Sequence, residues 1–301
     1  MSALKDLFPR FESRTIATSG AEIFLRMGGK GPPLLLLHGY PQTHVMWHRV
    51  APVLADRFSV VAADLRGYGQ SSVPNNDPDN FAYSKRAMAA DMVEVMAALG
   101  HQRFALAGHD RGGRVGYRLA LDHAERLDRL VVLDIVPTHA MWHRLSPDLA
   151  LKIFHWMFLA QPYPLPEWMI GADPVRYLEH KIGAWNASDG LSIFDPAALE
   201  HYRAFFRQPE RIKATCDDYR AGATYDLKAD ETDHAKGRRI RCPTLALWGA
   251  SGIPGVAGGP LDIWREWCAD VRGGPIDCGH FLVEEAPEAT LKAMLPFLQG
   301  S

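Results

Sequence analysis

Residues 104–123, FALAGHDRGGRVGYRLALDH, decide the reading of this chain. Phe104–Gly108 is a short apolar run without polar alternation, the mark of a strand buried on both faces. Arg111–His123 carries helical periodicity. Between them Gly108-His109-Asp110-Arg111-Gly112 has the G-x-nucleophile-x-G spacing, in which small flanking residues permit a sharp strand-to-helix turn and lift the central side chain over the sheet. The centre is Asp110, and a carboxylate attacks carbon without first losing a proton to a base. A plainer reading of the same residue is a cap on the helix that follows.

Outward from this stretch the pattern repeats. Thr15–Thr18 and Ala21–Met27 read as a hairpin, and Pro33–Leu37, Phe58–Asp64 and Leu130–Ile135 as buried strands. Val45–Phe58 and Tyr83–Leu99 read as helices. Strands alternating with helices imply an α/β fold with a mostly parallel sheet. From about Pro137 to Gly237 no strand is evident, only helical segments rich in Trp, Tyr and His. The strand pattern resumes at Pro243–Trp248, followed by a helix at Leu261–Ala269, a short strand near Pro275–Asp277 and a helix at Pro287–Leu298. The division expected is therefore a core of residues 1–136 and 238–301 with a helical cap at 137–237. The Gly/Pro-rich segment Ser251–Pro260 reads as a loop within the core.

Composition narrows the function. The chain has 301 residues, 47% hydrophobic, with 33 Lys and Arg against 35 Asp and Glu, a net charge of −2. Such a balance lacks the basic face that nucleic acid or an anionic membrane requires. The cysteines Cys216, Cys242, Cys268 and Cys278 are scattered and lack paired metal-site spacing, so reduced thiols are expected. The N-terminus has no apolar signal region and no stretch is long enough to span a bilayer. An intracellular, cytoplasmic protein without a structural metal site is the expectation.

Two partners for Asp110 stand where the fold would put them. His280, in Cys278-Gly279-His280-Phe281, follows the last strand and suits a general base. After the penultimate strand, Leu247-Trp248-Gly249-Ala250-Ser251-Gly252 holds no acid, so Asp134, at the end of Leu130–Ile135, is favoured over Asp262 to orient the imidazole. The loop His38-Gly39-Tyr40-Pro41 supplies the Tyr40 amide, with the Arg111 amide, as oxyanion donors. Arg111 and Arg114, i and i+3 on the first turn of the helix, point the same way and with the helix N-terminus make an anion site suited to a substrate carboxylate. Asp64–Ser71 is glycine-rich but lacks phosphate-loop spacing and reads as structural.

These stretches resemble the haloacetate (fluoroacetate) dehalogenases of the α/β-hydrolase superfamily. The likeness spans the chain, through HGYPQTHVMWHRVAP (38–52), ADLRGYGQS (63–71), AGHDRGGRVGYRLAL (107–121), LDIVPT (133–138), His155-Trp156, DDYRAGATYD (217–226), LWGASG (247–252) and GHFLVEEAP (279–287). It implies an α/β-hydrolase fold and hydrolysis of 2-haloacetates through an ester on Asp110, with no cofactor. It further implies that His155, Trp156 and Tyr219 bind the departing halide, that the partner is a small haloacid, and that the protein is a homodimer. Two other readings stay open. An epoxide hydrolase would pair Tyr219 with Tyr163, Tyr177 or Tyr202; a ligand binder on this fold would bind without turnover.

Overall fold

The computed structural model describes residues 4–188, 190–252, 254 and 259–300. Eight strands form one sheet in the order β1-β2-β4-β3-β5-β6-β7-β8. These are β1 (Glu12–Ala17), β2 (Glu22–Gly28), β3 (Pro33–Leu37), β4 (Ser59–Ala63), β5 (Phe104–His109), β6 (Leu127–Leu133), β7 (Thr244–Gly249) and β8 (Val271–Ile276). The hairpin β1–β2 and the β2–β4 pair are antiparallel, and every other pairing is parallel. Leu34–Leu37, Val60–Ala63 and Leu130–Leu133 are buried throughout, because helices cover both faces of the central sheet.

The helices of the core are α1 (Ala51–Ala55), α2 (Lys85–Ala98) and α3 (Arg111–Asp122). Where one helix is expected over Val45–Phe58, the chain makes a 3-10 turn at His44–Arg49 and then α1. Pro52, in the first turn of α1, has no N–H to continue the earlier turn, and so begins a new helix instead. Thr43 caps the 3-10 turn by accepting from the Val45 N–H.

Between β6 and β7 the described residues are helical: α4 (Thr138–His143), α5 (Pro147–Lys152), α6 (Phe154–Leu159), α7 (Leu165–Gly171), α8 (Pro174–Ala184), α9 (Pro196–Phe206), α10 (Pro209–Ala221), a π-helical turn at Gly222–Asp226, and α11 (Leu227–Ala235). The chain closes with α12 (Pro260–Trp267), β8, α13 (Leu282–Glu285) and α14 (Pro287–Gln299). β8 begins earlier than the sequence suggests. Its VRGGPI composition is poor for a strand, but an edge strand tolerates Gly and Pro because only one side must pair. Part of Ser251–Pro260 lies outside the described residues. All four cysteines are free. Among the described residues no helix is long and apolar enough to cross a membrane.

Candidate active site

β5 ends at His109 and α3 starts at Arg111, leaving Asp110 alone in the turn with φ 44° and ψ −114°. That region costs an L-residue about 1–3 kcal/mol and persists only where the surroundings enforce it. Here two glycines do so by close packing. A Cβ on Gly112 would lie 2.5 Å from the His38 carbonyl oxygen, and one on Gly108 would lie 2.5 Å from that of Gly112. The Asp110 N–H donates to the Leu133 carbonyl at 3.1 Å. Its carboxylate makes no cap bond to α3, so the plain capping reading fails. Instead Asp110 Oδ2 accepts the backbone N–H of Tyr40 at 3.0 Å.

Burial works to raise the pKa of Asp110, but nearby His280, His109, Arg111 and Arg114 outweigh it and hold the carboxyl below its ordinary value. The carboxylate is therefore ionised.

His280 Nδ1 lies 2.6 Å from Asp134 Oδ2. Asp134 also accepts the Gly249 N–H at 2.8 Å, so its second oxygen is fixed. This acid sits directly after β6 in a positive-φ turn. Asp262, the other candidate, is exposed and pairs with Arg265 at 2.6 Å. With Nδ1–H directed at Asp134, the imidazole keeps Nε2 as its proton acceptor. Burial lowers the His280 pKa, yet the bond and charge of Asp134, with Asp110 and Glu285, raise it above the ordinary value. Asp134 itself is pushed up by burial, against the pull of His280.

The two arginines have different surroundings. Arg111 gives Nε to Asp218 Oδ2 at 2.9 Å and Nη2 to Asp218 Oδ1 at 2.6 Å, and its guanidinium lies 4.2 Å from the Tyr219 ring centroid. Arg114 gives Nη1 to the Val136 carbonyl at 3.0 Å and to Thr138 Oγ1 at 3.1 Å, and stacks over Trp156 at 4.5 Å. Its Nε is buried without a partner. Sequence spacing alone makes the pair look equivalent; Asp218 makes them unequal.

His155, Trp156 and Tyr219 are buried and adjacent, with the Tyr219 ring centroid 5.6 Å from that of His155 and 6.2 Å from that of Trp156. Burial first, then the charges of Lys181, His280 and both arginines, push His155 well below its ordinary pKa, so it is neutral. Its Nδ1 is buried without a partner. Of the other tyrosines, Tyr163 is exposed and Tyr202 donates to Glu284 at 2.9 Å. Tyr177 stacks on Phe206.

Asp110, Arg114, Asp134, His155, Trp156 and His280 line one cavity of about 20 Å³, which Trp185 and Met141 help to close. That is room for one or two water-sized groups beside Asp110. Sequence reading missed Trp185, for which nothing local speaks, and Asp218, whose only signal was its place beside Tyr219 in DDYRAGATYD. Lys85 and Tyr68 donate to Asp218 from the other side.

Residues 32–287 match the family model described as alpha/beta hydrolase fold. The chain is 45% identical to a fluoroacetate dehalogenase from a Burkholderia species, over 98% of this chain and 96% of that protein. It is 32% identical to a soluble epoxide hydrolase from Corynebacterium sp. strain C12, over 89% of this chain and 91% of the relative. A crystal structure of a Nostoc sp PCC 7120 protein assigned to the alpha/beta hydrolases superposes with a TM-score of 0.95 at 51% identity, covering 98% of this chain and 100% of the other.

Proposed function

This chain belongs to the alpha/beta hydrolase fold family, and from that premise we propose that it hydrolyses the carbon–halogen bond of 2-haloacetates, fluoroacetate among them. The observation that carries the reading is an ionised, strained Asp110 sharing a small cavity with Arg114, a buried cation with an unpartnered Nε. A neutral epoxide has no charge for such a cation to hold, whereas a haloacetate presents a carboxylate.

In the first step an oxygen of Asp110 attacks the α-carbon in line, the carbon–halogen bond breaks, and the halide leaves with the bonding pair. Arg114, with the remaining edge of Arg111, holds the substrate carboxylate. His155, Trp156 and Tyr219 donate to the departing halide. An ester of Asp110 with glycolate results. His280, oriented by Asp134, then takes a proton from water as the oxygen attacks the Asp110 carboxyl carbon. The amides of Tyr40 and Arg111 stabilise the oxyanion; as it collapses the ester C–O bond breaks, His280 returns its proton to the leaving glycolate oxygen, and the Asp110 carboxyl gives up the water's remaining proton to restore the carboxylate. The Tyr40 amide already rests on Asp110 Oδ2, which supports its part in this step. No metal or organic cofactor takes part.

Residues 137–237 act in this reading as a cap over a core of residues 1–136 and 238–301, carrying the halide donors to the nucleophile. Tyr163, Trp168 and Met169 of that segment are 66%, 72% and 62% exposed, an apolar surface suited to self-association, and a cytoplasmic homodimer is the assembly proposed. The deciding experiment incubates purified protein with fluoroacetate, chloroacetate and a styrene-type epoxide. Halide is read with an ion-selective electrode and diol by chromatography. Halide without diol supports this reading; diol without halide replaces it with the epoxide hydrolase.

A further inference from the structure

The loop that carries His280 is fastened to the helical insertion by one side chain. Glu285 Oε2 accepts the backbone N–H of Ala187 at 2.9 Å and that of Gly279 at 2.8 Å. Its Oε1 accepts the N–H of Phe281 at 2.8 Å. The His280 N–H donates to the carbonyl of Trp185 at 2.9 Å. Contact here is so close that a Cβ on Gly279 would lie 2.6 Å from the Ala187 nitrogen and from Asn186 Cα. On the far side His109, held neutral by burial and by the charge of His280 with its pKa lowered to about 3, can donate Nε2–H to the His280 carbonyl at 2.8 Å. The backbone of His280 is thus gripped from the core by His109 and from the insertion by Trp185. Trp185 also lines the cavity with the imidazole.

We propose that Glu285 is a positioning residue for ester hydrolysis, holding the His280 loop against residues 185–187 so that the imidazole stays aimed at the ester. The inference rests on the reading of His280 as the base. A carboxylate suits this place because it only accepts, and three backbone N–H groups converge on it. An amide would turn N–H against N–H at one of them. The charge matters as well as the geometry. Around His280 stand the acids Asp134, Asp110 and Glu285, the neutral imidazoles His109 and His155 and, lining the same cavity, the cation Arg114. Each acid favours protonated His280, so removing the charge of Glu285 moves the imidazole towards its neutral form at lower pH.

The test separates the two chemical steps in the full chain. In single-turnover experiments with fluoroacetate, Glu285→Gln should slow hydrolysis of the ester about tenfold or more while alkylation of Asp110 changes within about twofold. Quenched samples should then show a glycolyl adduct on the Asp110 peptide by mass spectrometry. The acid limb of the hydrolysis rate should shift to lower pH. Glu285→Asp, which shortens the reach but keeps the charge, should slow hydrolysis with the limb unmoved, and it decides the matter if the Gln variant does not fold. Equal slowing of both steps, or hydrolysis at the parent rate in a folded variant, overturns the proposal. His280→Ala is run alongside. If it fails to trap the ester, the base assignment falls and this inference with it; if it traps the ester and the Glu285 variants do not, only this inference falls.

Discussion

Arg111 and Asp218 form a buried, forked ion pair, with Nε on Oδ2 at 2.9 Å and Nη2 on Oδ1 at 2.6 Å. Nη2 also reaches the Asp218 carbonyl at 2.7 Å. Burial works to raise the Asp218 carboxyl, but Arg111 and Lys85 overcome it and hold the group far below the usual carboxylate range. Only one edge of Arg111 is left for a ligand. Arg114, stacked on Trp156, keeps its Nε without a partner and so has more to give an incoming carboxylate.

Loss of Arg114 should therefore harm haloacetate turnover more directly than any change at Asp218. A hydrogen bond to a charged group is worth about 1.5–3 kcal/mol. Arg114→Gln should cost about ten- to 160-fold in kcat/KM for fluoroacetate. Steady-state kinetics check this, and unchanged kcat/KM would remove Arg114 from carboxylate binding.

Removing the base should leave the first step running. His280→Ala should alkylate Asp110, release one halide per site and stop, with the glycolyl ester visible by mass spectrometry on the peptide containing Asp110. Continued halide release without an adduct would refute the covalent route.

The halide donors proposed, His155, Trp156 and Tyr219, should show themselves through the leaving group. Fluoride is small, strongly hydrated and held by a strong bond, so its departure demands donors in the transition state, while bromide demands fewer. Trp156→Phe keeps most of the ring and removes the N–H. The ratio of kcat for fluoroacetate to that for bromoacetate should fall by at least about tenfold, or 1.36 kcal/mol. An equal loss on both substrates, with chemistry rate-limiting, would assign Trp156 to packing alone.

The pH dependence follows from the pair His280–Asp134. Its environment raises the imidazole above the ordinary 6.5, so the fold favours the protonated form. Ester hydrolysis needs the neutral form, and its rate should climb with pH through that raised value. Stability runs the other way: the contribution of the charged pair is full below 6.5 and is lost as pH rises through the folded-state pKa. Asp134→Asn should move the kinetic limb to lower pH, measured on the single-turnover hydrolysis rate. A limb that stays in place would mean that it reports another group.

The apolar surface of α7 should govern assembly. Trp168, 72% exposed, carries no role in the cavity. Trp168→Glu should shift the protein from dimer to monomer in analytical ultracentrifugation while leaving the fold intact. A parent protein already monomeric at micromolar concentration would end the dimer proposal.

The sequence by itself was enough for the alternation of buried strands and helices, the sharp turn at Asp110, and the expectation that Asp134 and not Asp262 lies beside His280. Each of these rests on local spacing: apolar runs that need cover on both faces, glycines that allow a sharp turn, and an acid or base at the end of a strand. It also showed Arg111 and Arg114 on one face of α3, which helical geometry alone ensures. Tertiary structure decided what those side chains then do. Asp218 stands 107 residues from Arg111 and Ala187 stands 98 from Glu285, and no periodicity connects positions so far apart. The same holds for Trp185, which closes the cavity from a loop without any motif. A buried charge takes the nearest partner of opposite sign, and which partner is nearest depends on how the insertion packs over the sheet. Local spacing therefore specifies where each reactive group is mounted, whereas its availability depends on contacts made between distant segments.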